Sequence, residues 1–198
     1  MTVITVNAPK GRLTVEQRRG LAETLTDAVL VPEVGRFAPP ARAGFQVHFV
    51  EREPDMMAIG GRLLADAGPG LDVMVIDVTV MDGDWRREVR AEVIERVLAA
   101  LAEACGLPEP SPAWWVTFRV VDEGSWGSSG GVLSILSLLE SGVFTEEKAK
   151  AIRAAIEAWS ADDRHTAGDH RAPTRRRPRR RRAGPDHSAA TTTSAISA

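Results

Sequence analysis

The stretch Phe45–Val50 (FQVHFV) leads into Pro54–Leu64 (PDMMAIGGRLL), and this alternating run followed by paired glycines decides the fold. Trp114–Val121 (WWVTFRVV) leads in the same way into Gly124–Ser134 (GSWGSSGGVLS). Alternation of apolar and other residues predicts a half-buried strand. Paired glycines predict a tight turn that opens a short hairpin, because glycine tolerates positive φ. The sequence therefore predicts one arrangement twice, a strand followed by a short glycine-rich hairpin.

A strand and a helix precede the first of these arrangements. Val3–Val6 is β-branched and predicts a strand, and Thr14 stands three residues before Gln17, which is the spacing of a capping box. Apolar residues then recur at helical intervals and predict a helix from about residue 15 to 29. Pro32 and the prolines after it predict a long irregular connection.

The second half repeats this order of elements. Asp72–Val80 predicts a strand that is apolar enough to lie in the centre of a sheet. Asp84 is a candidate N-cap for the helix that follows, and Gly106 with Pro108 are stop signals for it. The strand Trp114–Val121 then closes the second unit.

The repeated order predicts an α+β fold made of tandem β-α-β units, repeat 1 at about 2–64 and repeat 2 at about 72–134. Right-handed crossovers place two helices on one face of a four-stranded mixed sheet. Short glycine-rich hairpins flank the sheet, and an extra C-terminal helix at about 145–160 completes a domain over residues 1–160.

The chain beyond residue 160 has a different composition. Residues 164–198 carry nine arginines against two aspartates, and Arg175–Arg182 holds seven of them. With one isoleucine, this segment buries too little apolar surface to offset chain entropy, so we predict a disordered tail at 161–198. A basic tail can bind nucleic acid through counterion release. No aromatic residue interrupts it to stack on bases, so an extension without a specific partner is the favoured alternative.

Composition excludes several classes of protein. At 43% hydrophobic and 26% charged, the 198 residues have the composition of a globular protein, and the single cysteine, Cys105, cannot form an internal disulfide. No apolar run is long enough for a membrane span and the N-terminus lacks the pattern of a secretory signal, which predicts a cytoplasmic protein. The four histidines show no metal-ligand spacing and there is no phosphate-binding glycine loop, so we expect no metal and no cofactor.

Three motifs together resemble the tautomerase superfamily, the group of 4-oxalocrotonate tautomerase, over about residues 2–135. Gly11–Gln17 is similar to the turn and helix start of that family. Ala58–Gly61 is similar to its strand ending, and Asp122–Gly127 with the glycine pair that follows repeats this ending. The resemblance implies a homotrimer that acts on a small-molecule carboxylate substrate.

The resemblance implies catalysis by the N-terminal amine of a proline, but the residue after Met1 is Thr2. If Met1 is removed, Thr2 presents a primary amine whose ordinary pKa is about 7.7 to 8.0, which can act as a base. If Met1 stays, its side chain occupies the site, and catalysis of the family type is not expected. Arg12 lies where the resemblance puts an arginine that holds the substrate carboxylate, and a guanidinium fork suits that task.

Other candidate residues line the strands and turns. The family's second arginine matches Gln46, and His48 or Arg119 are candidate replacements on the polar strand faces. Met57 falls where the family places an aromatic wall of the pocket, and Trp126 takes the similar place in repeat 2. Each of these residues has a purely structural alternative in the core or in a subunit interface.

The sequence leaves three functions open, and the family resemblance favours the first. The first is a tautomerase that moves a proton between the enol and keto forms of a 2-oxo acid with Thr2 and Arg12. The second is a hydratase or hydrolytic dehalogenase of unsaturated acids in which Glu123 or Glu51 positions water. The third is a non-catalytic trimeric binding protein that keeps the fold, which the presence of Thr2 and Gln46 favours.

Overall fold

The computed structural model describes residues 1–68 and 70–169. Its regular elements in chain order are β1 (Thr2–Pro9), α1 (Val15–Val34), β2 (Phe45–Arg52), β3 (Ala58–Ile59), β4 (Arg62–Leu63), β5 (Met74–Met81), α2 (Arg87–Ala104), β6 (Trp114–Val121), β7 (Trp126–Ser128), β8 (Gly131–Leu133), α3 (Ile135–Glu140) and α4 (Glu146–Asp169).

The main sheet has the strand order β2-β1-β5-β6. The pairs β1–β2 and β5–β6 are parallel, whereas β1 and β5 run antiparallel at the centre, so the two β-α-β units are joined back to back. The pairs β3–β4 and β7–β8 form the hairpins at the two glycine turns. The predicted α+β architecture, with a mixed four-stranded sheet and an extra C-terminal helix, is confirmed.

Helices α1 and α2 cover one face of the sheet. Every second residue of β1, such as Ile4 and Val6, is buried, and the alternation repeats in β5. These side chains form one core cluster with an apolar stripe on each helix. The stripe residues of α1 are Leu21, Leu25 and Val29, and those of α2 are Val89, Val93, Val97 and Leu101.

Two predicted boundaries around α1 and α2 differ from the structure. The capping box of Thr14 and Gln17 begins α1 as predicted, but the helix continues through Pro32 and ends at Val34. Proline removes one hydrogen-bond donor but tolerates helical φ, so the last turn survives it. Asp84 does not cap α2, because Arg86 is the N-cap residue and Asp84 instead pairs with basic side chains.

The C-terminal part forms a second apolar cluster against the end of α1. Helix α3, which the sequence did not predict, contributes Ile135 and Leu139, and α4 contributes Ile152. Helix α4 continues to Asp169, past residue 160 where the sequence placed its end. Residues 170–198, with the arginine run, lie outside the described part of the chain, so the disorder predicted there stays a prediction.

Candidate functional site

A cavity of about 750 Å³ lies beside the first residues of the chain, where the end of α1 faces the loop between α3 and α4. Its walls are mainly apolar side chains, among them Phe37, Phe45 and Phe144. The charged side chains in its lining are those of Glu33 and Arg36. We call this space the N-terminal cavity, and it is concave, apolar and sparsely charged, as ligand sites commonly are.

The start of the chain borders this cavity. Met1 lines it, and the carbonyl oxygen of Met1 accepts a hydrogen bond from the backbone N–H of Met81 at 3.3 Å. Thr2 begins β1 between Phe45 of β2 and Val80 of β5 and is only 1% exposed. The two central strands therefore hold the first peptide units firmly at the cavity wall.

The carboxyl group of Glu33 contacts the start of the chain. Its Oε2 accepts a hydrogen bond from the hydroxyl of Thr2 at 3.1 Å. Burial raises the pKa of Glu33, whereas the positive α-amine of Met1, the Thr2 hydroxyl and Lys148 act in the opposite direction. The net result is a carboxyl group whose pKa lies above its ordinary value of 4.5.

This shift predicts a pH dependence of stability that Glu33→Gln should reduce. Because the pKa of Glu33 is raised in the folded state, its contribution is fully present below about pH 4.5 and is lost as pH rises through the folded value. Urea unfolding across that window should show wild type losing stability relative to Glu33→Gln. Glu16→Gln, at an exposed position of α1, is the matched control, and equal slopes for all three proteins would contradict the prediction.

Arg36 stands at the rim of the N-terminal cavity, two residues after α1. Its Nε donates to the carbonyl oxygen of Val143 at 3.2 Å, and its Nη2 donates to that of Gly142 at 2.8 Å. These two bonds fix the guanidinium plane, and among the described residues no recorded bond uses Nη1. A fixed guanidinium with donors to spare suits a carboxylate ligand.

Further charged side chains lie on the other side of Glu33, where it lines a second, small cavity with Asp82 and Asp84. The Lys148 ammonium of α4 contacts Asp84 Oδ2 at 3.2 Å, and the two side chains are 15% and 4% exposed. Arg86 approaches the other carboxylate oxygen of Asp84 at 2.8 Å from the solvent side. Asp82 lies beside them, and burial raises its pKa. Glu33 therefore borders both the N-terminal cavity and this charge cluster.

Arg12 lies at the opposite end of β1 from Thr2. At about 3.3 Å per residue, the strand holds the two ends about 23 Å apart, so one chain does not bring these candidates together. The Arg12 guanidinium donates two hydrogen bonds to the Asp72 carboxylate, of 2.7 and 2.6 Å, and lies 5.8 Å from the Trp114 ring centroid. The hydrogen bond to Asp72 raises the pKa of Arg12 further above its ordinary value. Within its own chain, Arg12 is already occupied by a carboxylate.

The candidates on the strands lie on the open face of the sheet. Gln46 and His48 are exposed neighbours on β2, and the His48 ring Nε2 is 3.1 Å from Gln46 Oε1. Arg119 is exposed on β6, at the other edge of the sheet. Three strand spacings separate the two edges by about 14 Å, so these side chains do not form one cluster in a single chain.

The remaining candidates lie near the glycine turns. Met57 lines a separate cavity of about 330 Å³ on the open face of the sheet, together with Trp115. Glu123 Oε2 accepts the backbone N–H of Ile135 at 3.0 Å, which occupies it as a cap of α3. Trp126 packs against the apolar cluster of α3 and α4. None of these three residues is among those that line the N-terminal cavity.

Glu33, Arg36 and Lys148 were not predicted from the sequence. A signal was present for Glu33, because it continues the apolar series of Leu21, Leu25 and Val29 at the next interval of four. Arg36 had no local signal, since its partners are carbonyl groups more than a hundred residues away.

No helix among the described residues is both long and apolar enough to cross a membrane. No cluster of three or more His, Cys, Asp or Glu side chains suited to a metal ion occurs within 1–68 and 70–169.

Comparison with known proteins identifies the fold. No family model matches the chain and no curated protein matches it. Among solved structures, a wild-type fused 4-OT symmetric trimer is similar at TM-score 0.54 and 19% identity, covering 69% of this chain and 98% of that chain. A member of the cis-3-chloroacrylic acid dehalogenase family is similar at TM-score 0.56 and 18% identity, covering 77% and 99%. Macrophage migration inhibitory factor of Toxoplasma gondii is similar at TM-score 0.51 and 16% identity, covering 66% and 99%.

These three structures share the tandem β-α-β arrangement of this chain across nearly their whole length, and the fused 4-OT structure is a trimer. At identities of 16–19%, the likeness establishes the architecture and leaves activity to the chemistry of the site. The described part of this chain has the fold of the tautomerase superfamily.

Proposed function

We propose that this protein is a tautomerase that transfers a proton between the enol and keto forms of a small 2-oxo acid, using the α-amine that begins the chain. The observation that carries this proposal is the position of the chain start at the wall of the N-terminal cavity, with the guanidinium of Arg36 at the rim. After removal of Met1, the amine is that of Thr2, which the central strands hold in place.

Arg36 holds the substrate carboxylate, the role that the resemblance implied for Arg12. The rim guanidinium binds the substrate carboxylate through the donors that Gly142 and Val143 leave free, while the apolar walls hold the rest of the substrate. Arg12 is paired with Asp72 and lies at the far end of β1. Arg12 is too far away to contact this cavity within one chain, so any contribution from it requires a neighbouring copy, as in a homotrimer like those of the fused 4-OT structures.

Arg36→Ala should raise KM for ketonisation of an enol such as phenylenolpyruvate about tenfold or more, because a charge-assisted hydrogen bond contributes about 1.5–3 kcal/mol. The reaction is followed by ultraviolet absorbance, with Arg96→Ala, an exposed arginine of α2, as the control. Arg12→Ala tests a contribution from a second copy. Equal KM for wild type and Arg36→Ala would remove Arg36 from the site.

The amine itself is tested by intact mass and by Thr2→Pro. Loss of Met1 with activity that rises in Thr2→Pro supports the proposal, because a proline ring presents a secondary amine in a fixed orientation. Retention of Met1 in the purified protein, together with no ketonisation, would instead favour a non-catalytic binding protein. The burial of Thr2, at 1% exposure, is the observation on the side of that alternative.

A second candidate is a hydratase or hydrolytic dehalogenase of unsaturated acids. The carboxyl of Glu33 in the cavity lining and the similarity to a member of the cis-3-chloroacrylic acid dehalogenase family favour it. Glu33 replaces Glu123 in this role, since Glu123 already caps α3. Release of chloride from 3-chloroacrylate, measured beside ketonisation, separates the two reactions.

A further inference from the structure

We propose that Glu33 is a second catalytic residue, whose Oε1 exchanges a proton with the enol oxygen of the substrate while the chain's α-amine exchanges one with carbon. The inference rests on the proposed tautomerase function. It adds a polar group to a site that lacks the second arginine implied by the resemblance, since this chain has Gln46 at that position of β2.

The geometry of Glu33 leaves one oxygen available. Thr2 is its one recorded hydrogen-bond donor within the described part of the chain, and the hydroxyl uses Oε2 at 3.1 Å. Glu33 also lines the N-terminal cavity, so Oε1 is the oxygen that remains for a ligand. The bond from Thr2 fixes the carboxyl plane, and Thr2 is itself held by both neighbouring strands.

The proton balance closes with the groups present. In ketonisation, the enol O–H gives its proton to the Glu33 carboxylate, the C=C electron pair takes a proton from the ammonium, and the C=O bond forms. The products are the ketone, a neutral carboxyl group and a neutral amine. Return of the Glu33 proton to the amine restores the starting state, and the reverse sequence gives enolisation.

The surroundings make Glu33 a better base than an ordinary carboxylate. The groups that face it are the α-amine at the start of the chain, which is that of Met1 in this structure, Lys148 on α4, and Asp82 with Asp84 after β5. Burial outweighs the two cations and raises the pKa of Glu33. A carboxylate with a raised pKa accepts a proton more readily than an ordinary carboxylate.

The test is the pH profile of ketonisation of phenylenolpyruvate by wild type, Glu33→Gln and Glu33→Asp. Glu33→Gln keeps an acceptor for Thr2 but no base, so we expect kcat to fall about 100-fold with KM little changed. Wild type should lose activity as pH falls through the pKa of Glu33. This acid limb should be absent in Glu33→Gln and present in Glu33→Asp, which restores part of kcat.

Glu16→Gln is the control at an exposed position of the same helix and should match wild type. Urea unfolding of each variant confirms that the folded state is retained. A Glu33→Gln enzyme with wild-type kcat, or with the acid limb intact, would overturn the role of Glu33 and leave the tautomerase proposal standing. Wild-type protein with no ketonisation at any pH would overturn both.

Discussion

Replacing Gly35 with alanine is expected to lower the free energy of unfolding by about 3 kcal/mol. Gly35 is the C-cap of α1 at φ +83°, a conformation that costs a residue with a Cβ atom about 1–2 kcal/mol. The added Cβ would also lie 2.6 Å from Thr145 Oγ1 and 2.9 Å from Lys148 Cγ. Alanine therefore pushes against the first turn of α4 as well as straining its own backbone.

The steric contact of the new methyl group with α4 should also affect the candidate site. The backbone N–H of Thr145 donates to the carbonyl oxygen of Val34 at 3.0 Å, and the Thr145 hydroxyl accepts the N–H of Lys148 at 3.3 Å. The first bond attaches the start of α4 to the end of α1, near Glu33 and Arg36, and the second bond caps the first turn of α4. Separation of the two helices should thus weaken the cavity wall together with the fold.

Gly11→Ala is the matched control for Gly35→Ala. Gly11 has φ +74°, but a Cβ there meets no atom within 4 Å. It should therefore lose only the conformational term of about 1–2 kcal/mol. Urea denaturation of the two variants isolates the steric contribution as their difference, and equal losses would show that α4 yields to the new methyl group without cost.

Much of the fold was predictable because its signals are local. The alternation of apolar and polar residues predicted the strands, and the pair Thr14 and Gln17 predicted the start of α1. The repeated glycine turns predicted the order of the two β-α-β units. Pro32 misled the prediction, since one missing donor in a last turn is tolerated when Gly35 closes the helix. Helix α3 was missed because its six residues are too few to show a helical period.

The candidate site was less predictable, since its groups meet through packing. The bond between Arg12 and Asp72 joins residues 60 positions apart, and nothing near Arg12 in the sequence indicates it. The apolar series did contain one usable signal, a charged residue at a buried interval. Glu33 follows Val29 by four positions, and Lys148 precedes Ile152 by four, so each interrupts a buried face.

Lys148→Met is the second variant with a large expected effect, a loss of about 2–3 kcal/mol in the free energy of unfolding near neutral pH. Removing one partner of a buried ion pair leaves the other charge uncompensated, which costs about 3–5 kcal/mol when no second partner exists. Asp84 is 4% exposed and keeps Arg86 as a partner, so the expected loss is smaller. Methionine retains the apolar stem of lysine, which confines the change to charge.

The sign of the pH dependence separates this effect from ordinary packing loss. Without Lys148, the Glu33 carboxylate loses a stabilising cation, so acid, which protonates Glu33, should restore part of the lost stability. Lys150→Met, at an exposed position two residues along α4, should change stability by less than about 0.5 kcal/mol.

Combining Lys148→Met with Glu33→Gln should cost less than the sum of the single changes, because the double variant no longer holds the Glu33 charge that Lys148 compensates. Strict additivity, with no recovery in acid, would mean that Lys148 acts only through its packing and that the cavity wall has no electrostatic link to α4.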